Sequence, residues 1–335
     1  MPKQIRAILA NSPYIALLIA ALLLPAILKN QYHIQVVIFI GLYIILTLSL
    51  NLLNGYVGLL SIGHAAFYGI GAYASAKIMM DLGLPFPVAM LGAGLISGGF
   101  GYLIARPTLK LSGIYLTMAT LGFNMILFLT LQSWMSFTNG PLGIMDIPPP
   151  SFYIWEFSTK TQYYYLMLAL VAITLFSMQR LVSCRFGRAL VAIREDQLAA
   201  EAMGINAARY KTQAFVLAAF YAGIAGSYYA HFVKYISPDS FYIYESFIFL
   251  AMLALGGQGN LIGPVVGAAI LILIPEIFRF LQEYRMIVYG SVLVIMMLVR
   301  RQGLLGGKDY SLRLSWFDDK KEKEYTRGDK FLPGE

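Results

Sequence analysis

The chain has 335 residues, 59% of them hydrophobic and only 13% charged, with a formal net charge of +8 and a mean hydropathy of +0.67. Soluble domains carry about 25% charged and about 45–50% apolar residues, so this composition excludes an ordinary soluble enzyme. The basic residues sit at the ends of apolar runs and in short loops, which points to membrane topology and away from nucleic acid.

A membrane helix needs about 20 apolar residues. In chain order, spans are predicted at 9–28, 34–53, 56–76, 86–105, 112–131, 163–179, 212–232, 246–256, 262–278 and 286–299. The first run has no small-residue cleavage site and reads as a retained span, not a removed signal. The eighth is short and reads as a half-helix. The expected fold is all-α: a polytopic transmembrane bundle of about ten spans with broken helices, over 1–305. Residues 132–162, with Asn139-Gly140-Pro141 and Pro148-Pro149-Pro150, form a shaped loop. Residues 306–335 form a charged tail.

With ten spans both termini share a side. The opposite side then holds Lys29, Lys77, Lys160, Lys234, Arg279 and Arg285, and every other Lys and Arg falls with the termini. The positive-inside rule places that richer side, including 180–211 and the tail, in the cytoplasm, and 132–162 outside.

Two stretches are glycine-rich at membrane depth, 51–76 and 253–275. Gly55-Tyr56-Val57-Gly58 and Gly256-Gly257-Gln258-Gly259-Asn260 read as helix breaks whose freed backbone groups line a cavity, or as tight helix packing. Polar residues inside a membrane are costly and face the bundle interior. Asn51, Ser61, His64 and Asn124 are therefore candidate pathway residues; an interhelical hydrogen bond is the competing reading for each. Glu276, the acid within a span, has Arg279 as a natural helix neighbour. The single cysteine, Cys184, has no companion ligands, and no metal or cofactor is expected. There is no GxxxxGK[ST] loop, HExxH or GxSxG, so no enzyme constellation is present and the chain does not hydrolyse ATP by the phosphate-loop route.

One polar segment interrupts the apolar chain: RLVSCRFGRALVAIREDQLAAEAMGINAARYK, 180–211. Arg180, Arg185, Arg188, Arg194, Arg209 and Lys211 orient the protein. Ala192–Met203 is predicted as a short helix with one apolar face, a docking surface for a soluble partner. The stretches FGRALVAIREDQLAAEAMGIN (186–206), GLLSIGHAAFYGIGAY (58–73), RPTLKLSGIYLTMATLGF (106–123), TNGPLGI (138–144) and LGGQGNLIGPVVGA (255–268) follow one another in the chain. Together they resemble the LivM-type permeases of branched-chain amino acid ABC transporters, over about 34–305. Leu198 stands where the general permease signature has glutamate, and its Leu-Pro is absent.

The resemblance implies a permease subunit in a prokaryotic cytoplasmic membrane. It implies a LivH-like second permease as partner, two cytoplasmic ATPase subunits, a periplasmic or lipid-anchored solute-binding protein, and surrounding membrane lipid. It assigns Arg194, Glu195, Asp196, Ala199, Ala200 and Gly204 to the helix that couples to the ATPase. Urea and short-amide permeases share the pattern, and a passive channel with a structural 180–211 loop is the reading from another class.

Overall fold

The computed structural model describes residues 30–277 apart from 110, 112, 153–154 and 158, together with 24–25, 287, 289–291, 294–295, 298 and 303–305. The chain divides into two compact units, 1–31 with 311–335, and 32–310; nearly all described residues fall in the second. The predicted spans 9–28 and 286–299 and the tail lie largely or wholly outside the described residues.

The helices in chain order are α1 (Gln31–Asn51), α2 (His64–Leu82), α3 (Phe86–Thr108), α4 (Ile114–Ser133), α5 (Met135–Thr138), α6 (Lys160–Ser183), α7 (Arg185–Glu195), α8 (Gln197–Ala202), α9 (Ala207–Val233), α10 (Ile243–Gly256) and α11 (Ile262–Ile277). The loop between α5 and α6 adds one small antiparallel hairpin, Ser151–Phe152 with Trp155–Glu156. Among the described residues six helices are long and apolar enough to cross a membrane. Of the ten predicted spans, two lie largely outside those residues; the expected half-helix at 246–256 counts among the six because the turn Pro238–Phe241 extends α10 to Pro238–Gly256; α11 is shorter than that, and α2 lacks their hydropathy. α2 is the interior helix: His64 to Tyr73 is buried without interruption. Its neighbours are protein and not lipid, so alanine, glycine and serine serve it better than leucine. Its far end carries the Lys77–Asp81 ion pair at 3.6 Å.

The core is a three-helix stack of α2, α3 and α9 held at backbone contact by small residues. A Cβ on Gly71 would overlap the Gly223 backbone, and one on Gly101 would lie 2.7 Å from Ala219 Cβ. Ser97 Oγ donates to Phe67 O at 2.9 Å, so the close approach also satisfies a buried hydroxyl. Phe67, Phe215, Phe241 and Phe249 fill the space around this seam. α10 and α11 pack the same way, where a Cβ on Gly267 would lie 2.9 Å from Gly256 N.

At one end of the bundle the 138–150 loop is tied to the end of α9. Ile144 and Ile236 exchange backbone hydrogen bonds at 2.9 and 3.0 Å, and Ile147 N donates to Lys234 O at 3.3 Å. His231 joins Pro148 O through Nδ1 at 2.8 Å and Ser75 Oγ through Nε2 at 2.9 Å. The TNGPLGI motif is thus a pinned turn, as its Asn-Gly-Pro chemistry requires, with Asn139 at φ +62°.

Candidate functional site

The site is a junction of two helix breaks and the polar segment at the other end of the bundle. α1 passes into one π-helical stretch, Leu52–Val57, closed by Gly58 at φ +77°. Facing it, α10 stops at Gly256, and the turn through Gly257 and Gly259 leads into α11. Both breaks fall where the glycine clusters placed them.

Asn51 fastens the two together. Its Nδ2 donates to Asn260 O at 2.6 Å, and its Oδ1 accepts from Gly259 N at 3.0 Å. Asn260 in turn accepts from Gly263 N, capping α11, and donates to Leu305 O at 2.9 Å. A Cβ on Gly55 would sit 2.6 Å from Gly259 N and overlap the Asn51 amide, so glycine is required by this approach. Asn51 therefore serves as a backbone clasp.

The polar segment closes over the clasp. Arg194, in the last turn of α7, donates from Nη1 to Gly55 O at 2.6 Å. A link between 180–211 and the first glycine-rich stretch thus runs through one guanidinium. The expected single helix over 192–203 is two helices. Asp196 adopts an extended conformation, φ −153°, and caps α8 by accepting from Ala199 N at 3.0 Å. An N-cap side chain competes with helix continuation, which is why an aspartate inside an otherwise helical run ends one helix and starts the next.

Of the other residues assigned to this segment, Ala200 is buried against Ile193 and Ala207. Glu195, Asp196, Ala199 and Gly204 are exposed. Gly204 takes φ +82° and lets Ile205 N return to Ala200 O at 3.0 Å, folding the segment back toward α9. Sequence reasoning missed two residues here. Leu198 is 79% exposed and Met203 84% exposed, two apolar side chains standing off a polar surface. Their signal was present in the apolar face expected of Ala192–Met203, to which these two large apolar residues belong.

The remaining pathway candidates gather at the head of α2. Ser61 N donates to Asn54 Oδ1 at 3.2 Å, Ile62 N donates to Thr120 Oγ1 at 3.2 Å, and Ala65 N donates to Ser246 Oγ at 2.9 Å. His64 Nε2 and Ser49 Oγ lie 2.6 Å apart, so the interhelical bond expected of it exists. Asn124 lies one turn beyond Thr120 on the buried face of α4. Several polar atoms here are buried and make no hydrogen bond within the protein: Asn54 Nδ2, Ser61 Oγ, His64 Nδ1 and both amide atoms of Asn124. Buried polar groups are ordinarily paired, so such a cluster marks a place where water or a ligand completes them. At the opposite end of α1, Glu276 accepts from Tyr32 Oη at 2.6 Å; the Arg279 neighbour lies outside the described residues. No group of metal-ligating side chains occurs among the described residues.

Residues 32–297 match the family model described as the branched-chain amino acid transport system permease component. The chain belongs to that permease family. It is 36% identical over 313 residues to the high-affinity branched-chain amino acid transport system permease protein LivM of Salmonella typhimurium, covering 87% of this chain and 73% of that protein. With LivM of Escherichia coli it shares 35% identity, covering 87% and 74%. An autoinducer 2 import system permease protein, LsrC of Salmonella typhi, is 27% identical over 61% of this chain and 59% of its own length. No solved structure matches. The family places the junction within a membrane permease.

Proposed function

We propose that this chain is a permease subunit of an ATP-driven importer for branched-chain amino acids, working beside a LivH-like second permease, two ATPase subunits and a solute-binding protein. The observation that carries this reading is the junction itself. A segment bearing exposed apolar side chains is wired by Arg194 to the backbone of a helix break. In this reading both termini and 180–211 lie in the cytoplasm, and the 132–162 loop faces the binding protein. Leu198 and Met203 enter a groove of an ATPase, and closure of the ATPases moves α7 and α8 as a body. The chain carries no ATPase motif of its own and acts as a transporter subunit, not an enzyme.

The test is the double change Leu198→Asp with Met203→Asp. Both side chains are solvent-exposed in the isolated chain, so insertion and folding are expected to persist. Leucine uptake into proteoliposomes carrying the full transporter is expected to fall at least about ten-fold, as loss of two apolar anchors at an interface requires. Unchanged uptake refutes the docking assignment. Flux through the chain alone, without ATPase, would favour the channel reading.

The unpaired polar atoms at the head of α2 are the proposed transit point for the amino acid's charged ends. Asn124→Leu distinguishes this from a structural role. If the amide served packing only, an apolar replacement of similar shape would be neutral or stabilising with uptake intact. Expected instead is uptake reduced by roughly ten-fold or more, the equivalent of about 1.4 kcal/mol, with the melting temperature unchanged or raised. The measurement pairs transport assays with thermal unfolding of the same preparation.

A further inference from the structure

A cavity of about 840 Å³ lies outside the junction, where the end of α3, the start of α7 and the first turns of α9 meet. Its walls combine two chemistries. Arg106 and Arg209 supply positive charge, with Thr212 and Gln213 as neutral hydrogen-bonding groups. Phe186 and Val216 supply an apolar floor. Neither arginine guanidinium has a carboxylate partner among the described residues; Arg106 instead lies over the Tyr102 ring, 4.9 Å from its centroid. The cavity also opens on the first turn of the 27-residue α9, whose N-terminus is capped by Asn206 Oδ1, accepting from Arg209 N at 3.0 Å. Arg106, from the last turn of α3, and Arg209, from the first turn of α9, thus bring two guanidinium groups to one cavity, the donor set that binds phosphate oxygens.

The flank of the cavity identifies the anion. Leu95, Phe100 and Leu103 of α3 are exposed apolar side chains leading along the helix to Arg106. On a membrane-spanning helix such a stripe faces acyl chains. An occupant with its charge at the arginines and its hydrocarbon along this stripe meets both chemistries; a free inorganic anion meets only one. We propose that this cavity is a binding site for the phosphodiester headgroup of an anionic phospholipid, held by Arg106 and Arg209 with its acyl chains against α3. The site sits between α3 and α9 of the stack and the start of the segment that carries the junction.

The experiment uses the full-length chain, purified with its companion subunits in detergent and exchanged into nanodiscs of either phosphatidylglycerol or phosphatidylcholine. Native mass spectrometry counts the lipids that survive activation. Wild type is expected to retain phosphatidylglycerol and not phosphatidylcholine. Each interfacial arginine contributes about five-fold to anionic-lipid affinity, so Arg106→Gln with Arg209→Gln is expected to weaken retention about thirty-fold. Arg188→Gln, at an exposed arginine outside the cavity, is expected to retain lipid as wild type does. Leu217→Trp fills the apolar side of the cavity away from the α3–α9 glycine contacts and without touching charge, and is expected to reduce retention independently; it keeps the question answerable if the double arginine variant does not fold. Equal retention by the double variant and wild type overturns the proposal. So does displacement of the lipid by millimolar inorganic phosphate, which would make the site a free-anion site.

Discussion

Replacing Arg194 with alanine is expected to separate ATP hydrolysis from transport. The side chain reaches from α7 to Gly55 O, and among the hydrogen bonds between described residues no other side chain of α7 or α8 reaches either helix break. A hydrogen bond from a charged donor contributes roughly 1.5–3 kcal/mol, at the lower end here because Arg194 is largely exposed. Coupling energies between sites of this kind run to about 5–150-fold. Uptake driven by ATP is therefore expected to fall within that range, with hydrolysis by the assembled ATPases retained and the chain still inserted. Arg194→Lys keeps the charge and loses the forked reach, so partial recovery is expected. The measurement is the ratio of substrate imported to ATP hydrolysed in proteoliposomes. An unaltered ratio in the alanine variant would remove Arg194 from the transmission path.

The second large effect is structural. Gly71→Val puts a branched side chain where α2 and α9 touch backbone to backbone, at Gly223. Overpacking a well-packed core, where side chains can still shift, costs about 1–3 kcal/mol. Here the obstacle is main chain, which has no rotamer to yield, so the cost lies at or above the top of that range. The folded protein recovered from membranes is expected to fall to a small fraction of wild type. Gly99→Ala on α3 is the control, because a Cβ there meets nothing within 4 Å. That change is expected to be neutral or stabilising by about 0.5–1 kcal/mol, since alanine orders more readily in a helix. Equal recovery of the Gly71 and Gly99 variants, read by fluorescence-detected size exclusion, would mean that the stack is looser than its geometry implies.

Much of this arrangement was legible because membrane helices advertise themselves. The 86–105 and 262–278 spans correspond to α3 and α11 within a few residues, since long apolar runs bounded by proline and glycine leave little choice. The glycine clusters at 55–58 and 256–260 marked both helix breaks for the same reason. Boundaries drifted where capping and not hydropathy decides: α6 begins at Lys160 because Thr159 and Gln162 form a capping box, three residues before the apolar run. α2 was displaced, read at 56–76 and found from His64, because an interior helix need not be uniformly apolar. The break at Asp196 was hidden by good helix formers on both sides. What no pattern carries is pairing across the chain. Arg194 with Gly55, and Asn51 with Asn260, join residues more than a hundred positions apart. Asn51 reads either as a pathway residue or as a maker of an interhelical hydrogen bond; the structure shows the bond, and its partners at Gly259 and Asn260 are visible only in three dimensions.

α9 has a consequence of its own. It is one uninterrupted helix of 27 residues, about 40 Å long, whose first residue packs on Ile193 and Ala200 and whose last turn holds His231. Acting as a seesaw about the glycine seam near its middle, a tilt of about 5° would swing each end by about 2 Å in opposite senses, by simple leverage on a rod of that length. The Pro148 turn hangs from one end of that rod and the Arg194 segment from the other. Such a tilt would carry a displacement from one face of the bundle to the other without a relay of rearranging side chains.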